Sequence, residues 1–111
     1  MKIPADARIA LEKVANYLLV PREWDDKSKF LAQAGFDRDH PDLLLRAIRD
    51  LAMAVEAVED GGNSYGVFLR AEGELQGPNG RSLQVVTIWI RWHLDGLVRF
   101  VTLKPRKEKR S

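Results

Sequence analysis

The side chains best equipped for chemistry fall in one stretch, Tyr65 to Lys104. Within it Phe68, Arg70, Glu72, Glu74, Val85, Thr87, Trp89, Phe100, Thr102 and Lys104 recur at alternate positions of three apolar-rich runs. Strand residues point to opposite sides in turn, so such a set shares one face. Phe68, Trp89 and Thr102 would form one cross-strand row, Arg70, Thr87 and Lys104 the next, and Glu72 with Val85 a third. An aromatic shelf beside cations and hydroxyls can stack a base and hold a phosphate. A carboxylate such as Glu74 can act as general base in phosphodiester cleavage while a cation meets the developing charge. A sheet with one wet face also accounts for these residues, because Thr, Arg, Glu and aromatic side chains pair across strands for stability alone. The cluster of Phe68, Trp89 and Phe100 argues for a partner, since exposed groups of large aromatics mark contact surfaces.

Two turns place those residues. Gly77-Pro78-Asn79-Gly80 is a tight-turn signal, because proline presets its own φ while Asn and Gly tolerate the conformations that follow. If Gly77 and Gly80 close it, Leu75 faces Ser82, Ala71 faces Val86, Leu69 faces Ile88 and Val67 faces Ile90. Asp95-Gly96 is a favoured two-residue hairpin. Leu94 then faces Leu97, Ile90 faces Val101 and Ile88 faces Leu103. Both turns send Val67, Leu69, Ala71, Val86, Ile88, Ile90, Val101 and Leu103 to one side, which is the expected core face. A one-residue slip would move a strand's whole set to the other side.

The preceding chain supplies helices to cover that core. Ala7, Ile9 and Leu11 alternate briefly, consistent with a short edge strand or coil. Leu11, Val14, Tyr17 and Leu18 then recur at helical spacing until Pro21. A short helix is expected over 27–34, with Phe30, Leu31 and Ala34 inward and Gly35 as its stop. The longest helix starts at Pro41 and is expected to reach about Val58, with a stripe of Leu44, Ile48, Leu51, Val55 and Val58. The prediction is an α+β fold, with two or three N-terminal helices on one face of a C-terminal three- to four-stranded antiparallel meander.

Composition bounds the classes of function. The chain has 111 residues, 45% hydrophobic and 31% charged, enough for one core without staples. Residues 1–105 are expected to form one domain and 106–111 a basic, flexible tail. The pI of about 9.1 belongs to that end of the chain. Residues 104–111 hold five Lys or Arg and one Glu, a balance of +4 against +2 for the whole, so the other 103 residues are net −2. No cysteine is present, which excludes disulfides, thiol nucleophiles and thiolate zinc sites. MKIPADARIA has no apolar signal region and no run reaches membrane-spanning length, so the expectation is a cytoplasmic protein with no membrane partner. His40 before Pro41 and His93 beside the Asp95-Gly96 turn have no metal-binding spacing, and neither a metal nor a cofactor is expected.

The segments LEKVANYLLV, DKSKFLAQAGF, YGVFLRAEGELQGPNGRSLQVVTIWI and RFVTLKP resemble a family of small bacterial domains over most of residues 11–105. The distinctive pieces are the GPNGR turn, the Trp-containing strand after it and the closing VTLKP. That family is similar in its helix-then-sheet order to small ribonuclease toxins of the barnase, EndoU, colicin and RelE type, and relatives occur in toxin and toxin-antitoxin-like settings. The resemblance implies roles for Lys29 or Lys27 in DKSK, Arg81 in GPNGR and Thr102 in VTLKP. Many members of the family it resembles carry a histidine in the loop after YLL, and here VPREWDD has none. If that histidine is the base in active members, the resemblance implies that this chain uses Glu72 or Glu74 instead or is not a nuclease.

The combined expectation is a toxin-like, metal-independent endoribonuclease. Lys29, Glu74 and Thr102 would be catalytic, and Lys27, Phe68, Arg70, Arg81, Thr87, Trp89 and Lys104 would bind RNA. The alternative is a non-catalytic antitoxin- or immunity-like module whose aromatic sheet face docks a cognate protein.

Overall fold

The computed structural model describes residues 1–19 and 27–106. Residues 20–26 and 107–111, on which the loop and tail expectations fall, lie outside the described residues. The chain runs through α1 (Leu11–Lys13), a π-helical turn (Val14–Leu18), α2 (Ser28–Ala32) and α3 (Pro41–Ala54). It ends in β1 (Ala57–Gly62), β2 (Gly66–Gln76), β3 (Ser82–Trp92) and β4 (Val98–Pro105). The strands form one antiparallel sheet in the order β1-β2-β3-β4. The fold is α+β, with helices preceding a four-stranded meander. Among the described residues no helix is long and apolar enough to cross a membrane.

Local chemistry sets most boundaries. Pro41 opens α3, where its missing N–H costs nothing. Leu44, Ile48 and Leu51 make its buried stripe. This helix stops at Ala54, four residues before the expected end, because Val55 is already extended at φ −120°, ψ 158°. Ala57 to Gly62 pair instead with β2 as an edge strand, Ala57 opposite Ala71. Sequence periodicity counted Val55 and Val58 into the helical stripe, yet Val58 is 49% exposed. At the other edge the Arg8 N–H donates to the Val98 carbonyl and the Phe100 N–H to the Arg8 carbonyl, both at 2.8 Å. Residues around Arg8 thereby lie parallel to the start of β4, and Ala7 and Ile9 are buried.

The expected register of β3 is corrected by one residue. The β2–β3 loop closes between Gly77 and Arg81, not Gly77 and Gly80, with the Gly77 N–H donating to the Arg81 carbonyl at 2.8 Å. Gly80 sits at φ 89°, the left-handed residue that lets a tight turn take one more position. Gln76 therefore opposes Ser82, and Ala71 opposes Thr87. Leu83, Val85, Thr87 and Trp89 face the helices, while Val86, Ile88 and Ile90 face away. The β3–β4 loop is also longer than expected. It closes between Trp92 and Leu97, and Trp89 pairs with Phe100. A bulge follows, so that Ile88 opposes Thr102 and Thr87 opposes Leu103. Val101 is the extra residue and leaves the core face.

Trp89 and Thr87, expected on an open binding face, are thus core residues at 1% and 0% exposure. The Trp89 ring meets Phe100 edge-on at 5.3 Å. Its indole N–H donates to Thr87 Oγ1 at 2.9 Å, and the Thr87 hydroxyl donates to the Ala71 carbonyl at 2.8 Å. This relay satisfies the polar atoms that Trp89 and Thr87 carry into an apolar layer, where an unpaired donor is costly. Leu18, Leu31, Leu44, Ile48, Leu69 and Leu75 complete the centre of that layer.

The GPNGR loop anchors the sheet to α2. Asn79 donates from Nδ2 to the Gln33 carbonyl at 3.1 Å and from its N–H to the Ala34 carbonyl at 3.4 Å. These are carbonyls at the end of α2 that lack helical partners. A Cβ on Gly77 would run into the Ala34 carbonyl, so the approach requires glycine. Gly77→Ala should cost about 1–3 kcal/mol through forced displacement, read from the urea midpoint. Thr87→Val should cost about 1–3 kcal/mol by leaving the Trp89 indole N–H without an acceptor. Thr87→Ser, which keeps the hydroxyl, should lose less.

Candidate functional site

Two segments, the π-helical turn and the start of α2, meet β4 past the stretch paired with Arg8. Lys27 precedes α2, and its Nζ donates to Thr102 Oγ1 at 3.3 Å. The two residues are 75 apart in sequence. Tyr17, in the π-helical turn, places its ring 5.5 Å from the same ammonium. Lys27 is only 9% exposed, an unusual state for a lysine and one that requires good partners. Thr102 reaches this position because the Val101 bulge rotates it away from the core face. Lys27 and Leu31 are four residues apart and share a side, and Leu31 is fully buried. Lys29 stands about 200° round the helix from Lys27 and is exposed.

The π-helical turn is the local reason for the Tyr17 placement. The Leu19 N–H donates to the Val14 carbonyl at 3.2 Å, five residues back. Val14 and Leu18 remain fully buried, so the wider turn keeps the apolar anchor and re-aims the residues between. Sequence periodicity assigns Tyr17 to an apolar stripe and gives no sign of this role. One turn earlier, partial burial pulls the Lys13 ammonium below the usual lysine pKa.

The other expected site residues do not join this cluster. Glu74 is exposed and accepts from Gln84 Nε2 at 2.9 Å. It lies four residues along β2 from Arg70, which shares a row with Ile88 and Thr102, so about 13 Å of strand separates their rows. Arg81 is farther, roughly 20 Å up β3 from that row, and its backbone N–H is held by Asn79 Oδ1 at 3.0 Å. His40 Nδ1 contacts Asp37 at 3.2 Å, and His93 is exposed in the β3–β4 loop.

Phe68, Arg70 and Lys104 lie on the outer face of the sheet as expected, but their neighbours differ. The middle of that face is aliphatic, with Val86, Ile88 and Ile90 in file on β3 and Phe68 beside Ile90. The charges around it are largely matched. Arg70 is 3.4 Å from Asp60 and 3.5 Å from Glu72, which also meets Arg106 at 3.6 Å. Arg99 bonds Asp95 at 2.8 Å and stacks 4.1 Å from the Trp92 ring centre. Such pairing lowers the positive potential a polyanion would need. A separate groove of 590 Å³ lies between α3 and the end of β2, walled by Phe36, Leu51, Val55 and Pro78 with Asp50 and Glu74 at its rim.

What fold and site define is a helix-covered antiparallel meander with a buried lysine hydrogen-bonded to a threonine of its last strand. Residues 4–107 match the family described as "Domain of unknown function (DUF6883)", and the chain belongs to that family. Its structure is similar to a chain of a contact-dependent growth inhibition toxin–immunity protein complex from Klebsiella pneumoniae 342. The TM-score is 0.69 at 18% identity, over 94% of this chain and 97% of that one. At that identity the likeness is one of fold. No curated protein matches the sequence.

The Asp95 carboxyl is held down to about 2 by the Arg99 hydrogen bond and the Leu97 N–H. Because the folded pKa is depressed, the contact contributes above the ordinary value of 3.8 and is lost as pH falls through about 2. A carboxyl NMR titration of Asp95 should give a midpoint near 2. A midpoint at the ordinary value would mean that Arg99 is not held at the hairpin tip.

Proposed function

We propose that the chain is a toxin-like domain that cleaves RNA, with Lys27 and Thr102 holding the phosphate at the reacting bond. The observation that carries this reading is the Lys27 Nζ–Thr102 Oγ1 contact, which joins the DKSK and VTLKP segments. The ammonium can donate to a non-bridging phosphate oxygen, and the Thr102 hydroxyl, which donates to the Leu103 carbonyl at 3.3 Å, can turn to do the same. Donors at that position stabilise the charge that develops as a 2′-hydroxyl attacks phosphorus. Lys27 takes the position that Lys29 shared with it on resemblance. Glu74 is left out of the reacting group because of its distance along β2. The likeness in fold to a chain from a toxin–immunity complex supports a toxin-related setting.

The aliphatic outer face favours a second reading, a protein-docking module of the antitoxin or immunity kind. Phe68, Ile88 and Ile90 would make the contact there, while Trp89 and Phe100, buried at 1% and 5% exposure, would support it from beneath.

Purified wild-type protein should degrade RNA, and Lys27→Ala and Thr102→Ala should each lose about 10²-fold or more in rate while retaining the wild-type far-UV circular dichroism and a cooperative urea transition. Equal rates for wild type and both variants would remove the pair from catalysis. Absence of RNA degradation, together with capture of a neighbouring gene product that Ile88→Asp abolishes, would replace the first reading with the second.

A further inference from the structure

We infer that the open edge of β2, around Glu74 and Gln76, docks an extended protein segment in which apolar residues alternate with Lys or Arg, added to the sheet as a further antiparallel strand. The inference does not depend on the Lys27–Thr102 reading, because that pair lies beside β4 and β3 stands between β4 and β2.

Pairing of β1 with β2 ends at Ala57 and Ala71, yet β2 runs on to Gln76. Successive residues of an antiparallel strand turn their N–H and C=O groups to opposite edges. The Gly77 N–H bonds the Arg81 carbonyl, so the odd-numbered residues of β2 serve β3. Glu74 and Gln76 therefore aim their backbone groups at the other edge. Among the described residues neither finds a backbone partner there, and both are exposed. Such an edge is a template for another strand.

What lies beside the edge selects the occupant. The 590 Å³ groove runs between it and α3, with Leu43, Ala47 and Leu51 in its lining. Residues of an added strand opposite Gly73 and Leu75 point toward the helix and into that groove, while one opposite Glu74 shares its outer face. The charged lining is Arg46, Asp50 and Glu74. Among the described residues no ion pair reaches either carboxylate, and Glu74 is met only by the amides of Gln76 and Gln84. A Lys or Arg opposite Glu74 would match that charge at cross-strand range. The same charge disfavours a second copy of this chain, since pairing two β2 edges about Glu74 sets carboxylate against carboxylate.

The test uses the full chain, isotope-labelled for NMR, and a synthetic probe of about seven residues that alternates lysine and valine. In the unbound chain the Glu74 and Gln76 amide protons should exchange freely with water while those of Gly73 and Leu75 are protected, and the probe should protect all four. N-methylation of the probe's lysines, whose N–H groups would face β2, should weaken binding about 10-fold or more. The same number of methyl groups on its valines, whose N–H groups would face away, should change binding by about 2-fold or less. Glu74→Lys should weaken binding about 2- to 10-fold with the urea midpoint unchanged, and that variant should prefer a probe with glutamate in place of lysine. Equal affinity for the two methylated probes, or no binding to wild type, would overturn the added strand. Glu74 and Gln76 amides already protected in the unbound chain would overturn it as well. Protection that rises with protein concentration would give the edge to a second copy, and protection lost on removing residues 107–111 would give it to the chain's own end.

Discussion

The five-residue loop from Gly77 to Arg81 is the constraint on which the rest depends. Its length sets which face of β3 meets the helices, because strand side chains alternate and one extra loop residue reverses the whole strand. With Gly77 pressed on the end of α2 and Gly80 in the left-handed region, the loop seats Leu83, Val85, Thr87 and Trp89 inward. The Thr87–Trp89 relay then locks that choice, since slipping back would strand an indole N–H and a hydroxyl. Everything outside follows from it. Ile88 and Ile90 become the outer face, and the last strand is aligned against them.

The candidate site rests on a second irregularity of the same kind. Without the bulge at Val101, Thr102 would follow the parity of Phe100 and point into the core. The bulge turns it outward at an edge strand, past the length shielded by Arg8, where Lys27 can reach it. Bulges commonly re-aim a side chain near a functional site. The π-helical turn re-aims Tyr17 in the same sense. Two local departures from regular geometry, one in a helix and one in a strand, bring a ring and a hydroxyl to one ammonium.

Much of the architecture was legible in the sequence and the register was not. The meander, the start of α3 at Pro41 and the helices-then-sheet order follow from strong local signals. The inward face of β3 does not, because both of its faces are apolar: Leu83, Val85 and Trp89 on one, Val86, Ile88 and Ile90 on the other. Periodicity cannot choose between two such faces, and loop length decides. Two independently derived turns agreed on a face and still misplaced β3. Thr102 was expected outward by a path with two compensating errors, a reversed strand and an unseen bulge. The end of α3 was overrun because Val55 and Val58 continue a helical spacing that β1 uses for extended pairing. Tyr17 gave no signal because a tyrosine in an apolar stripe reads as core.

On the proposed reading, RNA phosphate binds at the Lys27–Thr102 pair. The most direct measurement is NMR mapping of the labelled protein with an oligonucleotide made uncleavable by 2′-deoxy substitution. Perturbations concentrated at Lys27, Thr102 and Tyr17, weakening as salt is raised, are the predicted result. Perturbations confined to Phe68, Ile88 and Ile90 on the outer face, or none at any concentration, would contradict it.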